Sequence, residues 1–335
     1  MPASALPLYL HGVGHFHPDT VIDNRFLEEL DIGTSAEWIL ERVGIRQRRT
    51  VLPLDYIRAT KNQDLRASDE AALVSTVESG RRAADMALRR AGIEAKDVGL
   101  VIAGGCTPDG QTPAEACRIA GALGIEAPAL DLSSACSSFG AQLHFLSRLL
   151  GLPEYVLTVN VEHTTRVVDY RDRATAVLWG DGSSAAVVSR AVPSRLQIVD
   201  TSFASLPSGS ENVRIPRFGH FRQEGSTVQR FAIKTTQECI LRHREVARAR
   251  ATATGGRVRF IGHQANLLML DSAARRAGVS DGHWFNVDEF GNTGAAGAPS
   301  VLSQHWEEIG DADTLIVAVV GAGLSWSSLR VEASA

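Results

Sequence analysis

Short, continuous β-rich runs alternate with segments of helical period along the chain, and the second half repeats the plan of the first. The runs at 98–103, 129–132, 155–161 and 185–188 are apolar without a period of two, as expected of strands buried on both faces. Between them, 79–91, 114–123 and 136–150 have the length and composition of helices. The later half offers a helix at 235–250, a strand at 258–261, a helix at 265–277, a GNTGAAGAPS loop opening a helix that runs to Trp306, and a strand at 314–320. Strands alternating with helices predict a layered α/β fold. The 335 residues suit about two domains or one large duplicated unit. The stretch RAVPSRL around Pro193 is the best join, dividing the chain into 1–191 and 192–335. No Gly/Ser-rich linker separates the halves, so they are expected to pack intimately.

Composition narrows the partners. Thirty-four basic against 38 acidic side chains leave a net charge of −4, and no global field draws the chain to nucleic acid or an anionic membrane. The longest apolar run, LIVAVVGAGL at 315–324, is about half of the roughly 20 residues that span a bilayer, and reads as a buried strand. Cys106, Cys117, Cys136 and Cys239 show no CxxC spacing. The opening MPASALPLYL lacks the basic start and long apolar core of a signal peptide, which predicts a cytoplasmic protein with free thiols. The polar stretch 50–77 reads as a surface excursion with a short helix, or as an element that gates substrate or touches a second subunit.

Three motifs carry candidate chemistry. Cys136 lies in DLSSACSSFGAQLHFLSRLL, between a short strand and a helix whose Phe139, Leu143, Leu146 and Leu150 fall on one face. A thiol at a helix N-terminus meets unpaired N–H groups and the positive end of the dipole, which stabilise the thiolate. Taken alone, such a cysteine is more often a small core residue. His263, in FIGHQAN, follows a strand and precedes a helix; most lone histidines are structural or surface residues. Asn292 sits in EFGNTGAAGAPS, where small neighbours allow close approach to the amide, although asparagine also caps helices. All three share one address, the loop leaving the C-terminal end of a strand, where open α/β sheets bind ligands.

SSACSSFG, GHQAN and FGNTGAAG, with GAGLSW near the C-terminus, together resemble the β-ketoacyl-acyl-carrier-protein synthase III group of the thiolase superfamily, nearly end to end. The resemblance implies a five-layered αβαβα fold of two βαβαβαββ halves, usually a homodimer. It implies that Cys136 accepts the acyl group of an acyl-CoA or acyl-carrier-protein thioester. His263 and Asn292 would bind the second thioester's carbonyl and stabilise its enolate. The backbone N–H groups of Cys136 and Ala322 would form the oxyanion hole. Trp38, Arg42 and Arg173 match positions that hold coenzyme A and line the pantetheine entrance, with Arg46, Arg48 and Arg49 adding positive charge nearby. Gly180-Asp181-Gly182 is expected to shape a turn, and the other three cysteines to be structural. No metal or redox cofactor is expected.

Two features depart from the fatty-acid-initiating pattern. Thr112 stands where those enzymes carry an aromatic that reaches into the partner subunit's acyl pocket, so a longer or branched acyl chain is expected to fit. Relatives that join two acyl chains head to head place a glutamate there, whereas Glu115 is the nearest acid here, about one helical turn on. Relatives that transfer the acyl group to a hydroxyl or amine form the alternative; those compared commonly replace the asparagine with an acid. Asn292 therefore favours carbon–carbon bond formation.

Overall fold

The computed structural model describes residues 7–334; the first six residues of the opening segment lie outside it. Ten strands form one sheet: β1 (Leu8–Phe16), β2 (Val98–Gly104), β3 (Ala129–Asp131), β4 (Tyr155–Glu162), β5 (Gly182–Ser189), β6 (Leu196–Ser205), β7 (Val258–Gly262), β8 (His283–Trp284), β9 (Thr314–Gly321) and β10 (Ser325–Ala333). Six helices complete the repeated plan: α1 (Thr76–Ala91), α2 (Glu115–Leu123), α3 (Ser138–Leu146), α4 (Gly225–Thr254), α5 (Leu267–Ala277) and α6 (Gly297–Gln304).

The spatial order is β8-β7-β9-β10-β6-β1-β5-β4-β2-β3. The first five strands in the chain are thus arranged 3-2-4-5-1, and the second five follow the same order. Antiparallel pairing of Leu8 with Ile198 and of Leu10 with Leu196 joins the halves edge to edge. Helices α1 and α2 cover the outer face of the first half, α4 and α5 that of the second, and α3 and α6 lie between the two. The result is αβαβα layering with two βαβαβαββ halves.

Burial follows from those layers. Strand β5 is buried throughout and β4 from its second residue onward, because each has helices on both faces, which accounts for their unalternating sequences. Helix α3 departs from the expected single buried face. Phe139, Gly140, Ala141, Gln142 and Leu143 are all buried, since strands of both halves pack against it. It ends at Leu146, and Leu150 is 82% exposed rather than in the core, because the chain has already turned out of the middle layer at Ser147.

The 50–77 stretch is also more built than a solvated excursion. It holds helices Leu54–Thr60 and Leu65–Ala71. Asn62 is fully buried, and its Nδ2 donates to the carbonyls of Thr165, Arg166 and Val168. Those bonds satisfy a segment with no ladder partner, which explains why so polar a sequence is ordered.

Candidate active site

The chain enters the site through a tight turn. Helix α3 starts at Ser138, two residues later than the sequence suggests, because Ala135 adopts φ 49° and the chain turns into the helix only at Ser137. Cys136 is thereby presented ahead of the first turn, 7% exposed, with the helix behind it. The Gly321–Gly323 loop closes over this turn: a Cβ on Gly321 would lie 3.0 Å from the Cys136 N and 2.9 Å from the Ser137 N. Only glycine permits that approach, which brings the following residue, Ala322, to the same cavity as the thiol.

His263 and Asn292 arrive from the second half. Gln264, beside the histidine, is fully buried; its Nε2 donates to the Gly262 carbonyl at 2.7 Å and its Oε1 accepts from the Asn286 N at 3.0 Å. The histidine loop and the segment leading to Asn292 are thus tied together. Asn292 is held by backbone pairing with the WGDG segment: its N–H donates to the Leu178 carbonyl at 2.8 Å, and the Gly180 N–H donates to its carbonyl at 3.0 Å. A Cβ on Gly180 would lie 2.0 Å from the Phe290 carbonyl oxygen. Gly180 therefore does more than shape a turn, since it seats Asn292. Asp181 anchors the neighbouring loops by accepting from the backbone N–H groups of Val51 and Thr165, each at 2.8 Å.

Cys136, His263, Asn292 and Ala322 line one open cavity of about 1060 Å³, and Trp38, Arg42 and Arg173 line its outer part. The Arg173 guanidinium lies 5.0 Å from the Trp38 ring centroid and is exposed, as Arg42 is. A second cavity of about 230 Å³ also borders Cys136 and is walled by Cys106, Thr164, Trp179, Val213, Ile215 and Phe221. The rings of Trp179 and Phe221, 4.6 Å apart edge to face, belong to both cavities.

The Cys136 thiol is held well below its ordinary pKa, chiefly by a hydrogen bond from the Cys106 thiol and further by His263, against the opposing effect of burial. The Cys106 thiol is correspondingly pushed well up. Burial, followed by the Cys136 charge, pushes the fully buried Glu162 carboxyl up to about 8.

Two expectations, for Cys106 and Arg48, need correction, and the remaining residues are placed as follows. Cys106, expected to be structural, borders the smaller cavity together with Cys136. Arg48 does not serve the entrance: it is fully buried, donating to the Val177 carbonyl and the Asn24 Oδ1, where it ties together elements of the first half. Thr112 is exposed and borders neither cavity of its own chain. Glu115 likewise borders neither, being buried against Thr76 Oγ1. Trp179, Phe221 and Glu162 belong to no motif that the sequence marks as a site. Cys106 and Glu162 nevertheless carry the strand-end address used for the other three, after β2 and at the end of β4.

Residues 130–207 match the 3-oxoacyl-(acyl-carrier-protein) synthase III family, and residues 254–333 match its C-terminal region. The β-ketoacyl-(acyl-carrier-protein) synthase III of Geobacillus kaustophilus is 32% identical over 328 residues, covering 96% of this chain and 97% of the relative. The chain belongs to this synthase III family. The synthase from Oceanobacillus iheyensis is 29% identical over 327 residues, with 96% and 97% of the two chains covered. Among solved structures, the 3-oxoacyl-(acyl-carrier-protein) synthase III of Aquifex aeolicus aligns with a TM-score of 0.81 at 26% identity, covering 97% of this chain and 99% of that one. A priming β-ketosynthase from a polyketide pathway aligns at 0.78 and 26%, covering 100% and 98%. The protein is accordingly a synthase III-like condensing enzyme, an acyltransferase. Among the described residues, no helix is long and apolar enough to cross a membrane.

Proposed function

We propose that the enzyme works by a two-stage exchange in which Cys136 is the nucleophile. Its thiolate attacks the thioester carbonyl of an acyl-CoA or acyl carrier protein, and the donor leaves as a thiolate. A malonyl or β-ketoacyl thioester then binds against His263 and Asn292. With malonyl, loss of carbon dioxide leaves an enolate whose oxygen these two side chains hold. The enolate carbon attacks the acyl group, Cys136 is expelled as thiolate, and a β-ketoacyl thioester departs. Covalent capture divides one difficult transfer into two easier steps. The backbone N–H groups of Cys136 and Ala322 donate to the oxyanion in both tetrahedral intermediates. Thiol, imidazole, amide and backbone donors supply every step, so no metal or redox group has a part in it.

The observation that carries this reading is the convergence of a charge-stabilised Cys136 with His263, Asn292 and Ala322 on one cavity. The exposed Arg173 and the half-buried Trp38 at its outer part offer a cation and an indole face to an adenine ring. The smaller cavity, apolar and reached from the thiol, suits the acyl chain. Retention of Asn292 favours condensation over transfer to a hydroxyl or amine.

The halves 1–191 and 192–335 act as the two structural units, and the enzyme works as a homodimer in the cytoplasm. The free edge strand Ala129–Asp131, with Leu130 exposed, supports pairing with a second copy. Thr112, exposed and outside its own chain's cavities, suits a role at the partner's acyl pocket; Thr112→Phe is expected to shorten the accepted acyl chain.

Intact-mass measurement after incubation with a panel of acyl-CoAs and acyl carrier proteins tests the first stage. An acyl adduct on Cys136 is expected, and no adduct with any donor sinks the reading. Adding malonyl thioester should then release carbon dioxide and a β-keto product; an acyl group passed only to hydroxyls or amines would show a transferase instead.

A further inference from the structure

The two backbone N–H groups assigned to the oxyanion come from opposite halves of the chain, yet they must aim at one point. Cys136 lies in the turn that opens α3, and Ala322 in the turn joining β9 to β10. The β9–β10 ladder does not hold Ala322, because its last pair is Gly321 with Ser325. Something outside the ladder has to fix the Ala322 carbonyl and tie it to the Cys136 turn.

A chain of buried serine hydroxyls does this. Ser325, the first residue of β10, is buried, and its Oγ donates to the Ala322 carbonyl at 2.8 Å. Ser137, fully buried and next to the nucleophile, places its Oγ 2.8 Å from the Ser325 Oγ. Each hydroxyl carries one proton. With the Ser325 proton given to Ala322, Ser137 is the donor to Ser325. The Ser134 Oγ, 2.9 Å from the Ser137 Oγ on the other side of the nucleophile, completes the chain. Ala322 is thus fixed on both sides: Gly321 packs against the Cys136 and Ser137 N atoms ahead of it, and Ser325 holds its carbonyl. Ser137 and Ser325 line neither cavity, so they act through the backbone they hold.

We propose that Ser325 is a positioning residue for the oxyanion hole: with Ser137 it locks the Ala322 loop to the Cys136 turn, so that both backbone N–H groups converge on the thioester oxygen. This inference rests on the proposed function, in which those N–H groups hold the oxyanion. The resting thiol does not use the convergence. Only the tetrahedral intermediates draw on both donors at once, so a loosened Ala322 costs rate at the steps that form them. Hydroxyls suit the post because they pair a buried carbonyl and add no charge beside the site where negative charge develops.

Two reactions of the same sulfur separate positioning from mere packing. Acylation by the acyl-CoA that loads wild-type Cys136 fastest passes through an oxyanion, whereas alkylation by iodoacetamide displaces iodide at a saturated carbon and forms none. Both rates are followed by intact mass in the full-length enzyme. Ser325→Ala should slow acylation roughly ten- to a hundredfold while leaving alkylation within about twofold of wild type. Ser325→Thr, which keeps a hydroxyl on the same strand, should recover most of the acylation rate. Acylation at the wild-type rate in Ser325→Ala, equal slowing of both reactions, or no recovery in Ser325→Thr would overturn the proposal. Should Ser325→Ala fail to fold, Ser137→Ala is measured in its place and should show the same split. A wild-type enzyme that is alkylated at Cys136 but takes an acyl group from no donor overturns the underlying reading instead.

Discussion

The two halves of the molecule share a strand order and a helix placement yet carry different chemistry at equivalent loops. After the third strand, the first half presents a thiol, Cys136, and the second an amide, Asn292. After the second strand, the first half presents a thiol, Cys106, and the second an imidazole, His263. At the end of the fourth strand, the first half has a buried acid, Glu162, whereas the second has Gly321, which leaves room for the turn at Cys136. Duplication supplies a two-sided frame, and divergence at the strand ends assigns one side to holding the acyl group and the other to handling the incoming carbanion. A fold-level symmetry of this kind explains positions but not roles, which come from the side chains.

That division can be broken most severely at Cys136. Cys136→Ala should remove the acyl adduct and lower product formation by at least about a thousandfold, measured by intact mass and by release of β-keto product. Product formed at the wild-type rate would remove the first half's assigned role.

Substitution on the other side should separate the two stages. Asn292→Ala or His263→Ala should lower condensation by roughly 10² to 10³ while the adduct on Cys136 still accumulates, because preorganised donors act on the developing charge. Equal loss of both stages would show that the second half serves acylation as well.

Glu162 makes a stability comparison possible. Its carboxyl is pushed from 4.5 to about 8, first by burial and then by the Cys136 charge. Between those values the folded protein retains a proton that the unfolded chain has released, so its contribution makes stability fall as pH rises. Glu162→Gln should flatten the decline in Tm between about pH 5 and 8, as followed by thermal melting. A decline as steep as in wild type would mean that the acid is not held neutral by its surroundings. Asp181, also buried and pushed up by burial to about 6, acts in the lower part of the same window and remains as an internal reference.

The smallest effect is expected at the outer part of the cavity. Arg173→Ala should raise KM for CoA donors a few-fold, about 0.5–1 kcal/mol for an exposed cation–aromatic contact, and leave kcat nearly unchanged. Carrier-protein donors, if they do not insert an adenine there, should be affected less.

Much of the site was legible because one rule located it. Cys136, His263 and Asn292 each follow a strand in the sequence, and glycine-rich surroundings mark the approach. The same rule applies to Cys106, after VIAGG, and to Glu162, at the end of YVLTVNVE. A single cysteine or glutamate, however, carries no sign of what it faces. Trp179 and Phe221 were hidden for a different reason: they lie 42 positions apart, and only packing brings their rings to the same wall.

The sequence by itself determined the α/β class, the repeated order of elements, the family and the three motifs, since periodicity and short-range spacing are properties of the chain. The tertiary structure alone decided that α3 is covered on both faces, that Leu150 leaves the core, that Arg48 is buried and that Cys106 and Cys136 wall one cavity. Each of these depends on which loops the layered packing brings together across the halves, and that proximity has no counterpart in linear spacing.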